Sequence, residues 1–80
     1  MGLAKSEEEI AERASRFLKA ELKRANVTYA ELAKRLKKHG LSEETENSIK
    51  AKLARGTFAA TFLLACLAAL ELEGVRLEDL

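Results

Sequence analysis

Proline and tryptophan are absent from these 80 residues, and cysteine, histidine and tyrosine occur once each. Each scarcity excludes something. A lone Cys66 closes no internal disulfide, and one cysteine with one histidine cannot assemble a zinc site. His39, beside Gly40 at the basic end of a helical pattern, reads as a solvated helix-end residue. Cys66 lies in the most apolar segment, where a free thiol behaves as a small hydrophobe rather than a nucleophile. Four scattered glycines form no phosphate-cradling loop. The Glu7–Glu9 run resembles paired carboxylates, but helix capping and the helix dipole account for it more simply. The inventory therefore predicts no enzymatic activity, no cofactor, no metal and no small-molecule ligand.

Long hydrophobic runs are also missing. The longest apolar stretch, Phe58 to Leu70, is too short to span a bilayer and suits a buried core helix. The N-terminus runs directly into Ser6-Glu7-Glu8-Glu9 without a secretory pattern. A cytoplasmic location with no membrane partner is the expectation.

What is present points to helices. Hydrophobic residues make up 48% of the chain, Ala and Leu dominate, and no proline interrupts them. At this length the chain is one domain with a thin stability margin. Ser6 with Glu9 three residues on forms a capping-box pattern, and Ile10, Ala14, Phe17, Leu18 and Leu22 recur at helical spacing, predicting a helix over about 7–25. Thr28 with Glu31 repeats the capping pattern and opens a helix over about 29–39, with Leu32, Ala33 and Leu36 inward and Lys34, Arg35, Lys37 and Lys38 outward. Ser42 is the expected cap of a third helix over 43–55, which has Ile49 and Leu53 on its inner face. Thr57 or Thr61 is expected to cap a fourth over 59–72, apolar nearly all round. Gly40, Gly56 and Gly74 read as stops, and Val75, Leu77 and Leu80 as an apolar C-terminal strap. The predicted architecture is all-α: a compact four-helix domain spanning 1–80.

Charge is unevenly distributed. Residues 13–39 carry nine Lys/Arg against two Glu, whereas both flanking segments are net acidic. A basic band of this kind is an argument about partners. Two short capped helices joined by a turn, inside a helical core, are the geometry by which a helix-turn-helix places its second helix in the DNA major groove. On that reading the amides of Thr28 and Tyr29 meet a phosphate. Lys34, Lys37, Lys50, Lys52 and Arg55 neutralise further phosphates, and Asn47 and Ser48 face base edges. Duplex DNA is thus the expected partner, and a small DNA-binding regulator the expected function. The alternative is a protein-interaction or homodimerisation module using the apolar fourth helix and the C-terminal tail. Recognition of RNA on a stacking platform is disfavoured, because only Tyr29 and three inward-patterned Phe are aromatic.

Ala30-Glu31-Leu32-Ala33-Lys34-Arg35-Leu36 resembles the second helix of phage-repressor-like helix-turn-helix domains, and Leu53-Ala54-Arg55-Gly56 is similar to the end of their third helix. More closely, Glu21-Leu22-Lys23-Arg24, Val27 to Leu32 and Arg55-Gly56-Thr57-Phe58, with the apolar helix that follows, resemble a family of small bacterial proteins known only as a domain of unknown function. That resemblance covers about residues 16–72, and what it implies is a helical fold with no assigned activity. The chain departs from the repressor pattern in three ways. The link between Leu36 and Ile49 is longer, Ala54 replaces an acid, and Glu43, Glu44 and Glu46 crowd the start of the third helix.

Overall fold

The computed structural model describes residues 5–80. Among the described residues four α-helices follow one another, α1 (Glu7–Ala25), α2 (Tyr29–Lys37), α3 (Glu46–Arg55) and α4 (Ala60–Ala69), and a short 3-10 turn spans Leu77–Asp79. Among the described residues there is no strand. No single helix among the described residues is long and apolar enough to cross a membrane.

The helix starts are fixed by side chains. Ser6 accepts a hydrogen bond from the Glu9 amide, Thr28 from the Glu31 amide and Thr45 from the Ser48 amide. In each case a first-turn N–H without an intrahelical acceptor is satisfied. α1 keeps its expected bounds. α3 does not: Thr45, not Ser42, is the cap, and the Ser48 hydroxyl closes a reciprocal box on the Thr45 amide. Residues 38–45 therefore form a longer link than expected. α4 starts at Ala60 after the Ala59 N-cap, without a side-chain cap, because the Thr57 hydroxyl is engaged by Arg55.

Three helices close on a left-handed residue followed by a buried or half-buried aliphatic. Asn26 (φ 59°), Gly40 (φ 89°) and Glu71 (φ 59°) hold that conformation. The next residue's amide then reaches back five residues: Val27 to the Leu22 carbonyl, Leu41 to Leu36, and Leu72 to Leu67, all at 2.9–3.0 Å. This is the Schellman closure, which satisfies orphan carbonyls and folds an apolar residue back onto the helix. α4 accordingly ends at Ala69, closed by the left-handed Glu71, and does not run to the expected residue 72 before Gly74. A local hydrogen-bond closure ended it before the glycine was reached.

The core is continuous. Leu18 and Leu22 from α1, Leu32, Ala33 and Leu36 from α2, Ile49 and Leu53 from α3, and Phe62, Ala65, Cys66 and Ala69 from α4 pack together with Val27. α2 lies against both α3 and α4, whereas α1 meets α3. The one buried polar residue among the described residues, Ser15, donates from its hydroxyl to the Leu53 carbonyl and so ties α1 to α3. α3 and α4 meet at a bend of 119° across 56–59. That corner is built locally. Gly56 takes φ 83° and its amide closes on the Lys52 carbonyl, while Arg55 turns back onto Thr57. Phe58 then packs on Phe62, with ring centroids 5.3 Å apart.

Candidate nucleic-acid interface

α3 turns Ile49 and Leu53 into the core and leaves Asn47, Lys50, Ala51 and Ala54 exposed. Their spacing of three, one and three residues puts them on one helical face. Asn47 and Lys50 have no side-chain partner among the described residues. The other two are alanines, so a surface can approach this helix closely between one amide and one ammonium.

The remaining expected contacts of α3 are otherwise engaged. Ser48 is half-buried; its hydroxyl donates to the Glu44 carboxylate (2.7 Å) and lies 2.8 Å from the Thr45 amide, which donates to it. Lys52 is not a solvated cation. Its ammonium bonds Glu44 and sits 5.3 Å from the centre of the Phe62 ring. Both members of this pair are mostly shielded, with side-chain exposures of 27% for Lys52 and 12% for Glu44. Burial alone would raise the Glu44 pKa, but the hydrogen bonds from Lys52 and Ser48 and the Lys52 charge outweigh it and hold the carboxyl below its ordinary value. One of the three acids at the start of α3 is thereby neutralised. Glu43 and Glu46 stay exposed.

Arg55 is exposed, yet its guanidinium is held by its own corner. Nε donates to the Thr57 hydroxyl (3.0 Å) and Nη2 to the Thr57 carbonyl (3.0 Å). It lines an open cleft of about 800 Å³ whose other cations are Arg16 and Lys19 of α1. Arg16 and Lys19, and not Lys34 or Lys37 of α2, share this cleft with Arg55, and no sequence pattern signalled that grouping. Glu7, Glu8 and Glu12 line the same cleft, so it is not an anion site.

On α2, Lys34 and Lys37 are exposed and without ion-pair partners among the described residues. Arg35, expected outward, is half-buried instead: Nε bonds Glu31 (3.1 Å) and Nη1 donates to the Ala69 carbonyl (3.3 Å), capping the end of α4. At the start of α2, Thr28 is exposed with its hydroxyl spent on the cap. Tyr29 is half-buried against the core. Cys66 is fully enclosed, and burial, helped by the nearby Glu44 charge, pushes its thiol pKa up to about 12. It can serve packing but not nucleophilic chemistry.

No curated protein and no solved structure matches the chain. Residues 2–75 match the family described as a domain of unknown function (DUF6471), and the chain belongs to that family.

Proposed function

We propose that this protein binds duplex DNA through the outer face of α3, as a small helix-turn-helix regulator. The observation that carries the reading is that face itself: Asn47, Lys50, Ala51 and Ala54, exposed in one stripe, with the two polar groups uncommitted. A major groove admits one helix, and its base edges are read by an amide on adenine or an ammonium on guanine, with alanine against a thymine methyl. Lys34 and Lys37 are free to neutralise phosphates beside it, and the first-turn amides of α2 at Tyr29 suit an anion. Glu44 does not oppose DNA, because Lys52 compensates it. Lys52 and Ser48 leave the expected contact set for the same reason, and Arg55 is the weakest remaining member of it.

The test is binding of random-sequence duplex DNA across a salt titration. Affinity that falls steeply with salt supports a phosphate-neutralising surface. No binding at low salt removes the reading.

A second reading, self-association, is favoured by one observation on α4. Its exposed positions Ala60, Thr61, Leu64 and Ala68 carry no charge, and Leu64 is 63% exposed. An interface made there would be apolar and would not weaken as salt rises.

A further inference from the structure

α1 carries a second charged surface, which borders the end of the α3 face at Ala54. Glu8, Glu12, Arg16, Lys19 and Lys23 are all exposed and follow one another at spacings of four, four, three and four. That spacing makes them one continuous helical stripe. None of the five has an ion-pair partner among the described residues. The opposite flank of the same helix is different, since there Glu9 pairs with Arg13 and Glu21 with Arg24. The stripe is thus acidic in its first half, basic in its second, and unpaired throughout. The helix dipole favours acids in the first turn and bases in the last, but its influence fades within a turn. Glu12, Arg16 and Lys19 lie in the middle of a 19-residue helix, beyond that reach.

We propose that this stripe is the contact surface for a second copy of the chain, with the two α1 helices antiparallel across a two-fold axis. An isologous contact requires that each residue meet a complement at the same distance on the other side of one midpoint. Four of the five residues in the stripe meet that requirement. Glu8 and Lys23 are equidistant from a point between Ser15 and Arg16, and so are Glu12 and Lys19. A single antiparallel register therefore sets Glu8 against the other copy's Lys23 and Glu12 against its Lys19, twice each. Arg16 falls near the axis beside the other copy's Arg16, and a Glu12 of each copy, one turn away, offsets that like-charged pair. The outermost pairs are ~22 Å apart along the axis, at the usual helical rise. Parallel packing would instead oppose like charges along the whole length. Glu8, Glu12, Arg16 and Lys19 line one open cleft together with the small Ala11, which leaves the long side chains room to lie across. Such pairs stay partly solvated, so the association is weak and sensitive to salt.

The test is sedimentation velocity on the full chain at ~0.05 M and ~0.5 M salt, using the wild type and two charge variants. One variant carries Glu8→Lys and Glu12→Lys, and the other Lys19→Glu and Lys23→Glu. All four positions are exposed; circular dichroism verifies that the helical fold is kept. The expected result is a reversible wild-type dimer whose dissociation constant rises by more than about tenfold over that salt range. Each variant alone is monomeric, and an equimolar mixture forms a heterodimer. The proposal is overturned by a wild type that stays monomeric at low salt, by association that survives both sets of reversals, or by variants that remain monomeric when mixed.

Discussion

Lys52 of α3 is bonded to Glu44 in the link that precedes the same helix, eight residues earlier, and the same ammonium lies over the Phe62 ring of α4. One cation thus fastens three segments, the α2–α3 link, α3 and α4. Losing it leaves a shielded carboxylate without its strongest partner. Lys52→Met is expected to cost about 1–3 kcal/mol near neutral pH, read by urea unfolding. The pH dependence has a definite sign. Glu44 has a lowered native pKa, so its contribution is complete above the ordinary glutamate value of 4.5 and is lost as pH falls through the native value. The stability gap between the wild type and Lys52→Met should therefore narrow in acid. A gap that is constant or widens would show that the pair does not stabilise the fold.

Cys66 should be inert in the native protein. It is fully buried and its pKa is pushed up to about 12, so almost no thiolate exists at neutral pH. Alkylation followed by mass spectrometry should show no labelling in buffer and complete labelling in denaturant. Rapid labelling of the folded chain would contradict this packing of α4.

Arg55→Ala should act on the corner between α3 and α4. The lost bonds to Thr57 are exposed, so the expected cost is about 0.5–1.5 kcal/mol, or a melting temperature lower by about 4–8 °C per kcal/mol. If Arg55 is mainly a corner residue, DNA affinity should change less than it does on altering Lys50. A larger loss of affinity with unchanged stability would restore Arg55 to the DNA contact set.

Much of this architecture is legible in the sequence where a local signal decides it. The start of α1 at Ser6 is legible because a cap is local, and the inward faces of α1, α2 and α3 follow from spacing except at Ile10, which is exposed; α4, apolar nearly all round, signals no single inward face. The errors came where two local signals compete. Ser42 and Thr45 both resemble caps, and what selects Thr45 is the reciprocal bond from Ser48, with Glu44 turned toward Lys52. Gly74 looked like the stop of α4, but the positive φ of Glu71 and the return of the Leu72 amide to Leu67 end it earlier. Side-chain commitment was the least legible property. Lys50 and Lys52 look alike in the sequence, and only the position of Glu44, on a link of unpredicted path, makes one free and the other paired. The same limit hid the grouping of Arg16 and Lys19 with Arg55 in one cleft, which depends on how α1 crosses α3.

The most direct measurement is fluorescence anisotropy of labelled duplex DNA with the wild type and Lys50→Glu, each titrated across salt. Lys50 is exposed on the proposed reading face, so its reversal should leave the fold intact. The prediction is that the wild type binds at low salt with a steep salt slope, and that Lys50→Glu binds at least about tenfold more weakly with a slope smaller by about one. Absence of wild-type binding at low salt, or equal binding by the two proteins, would contradict the claim that the outer face of α3 meets DNA.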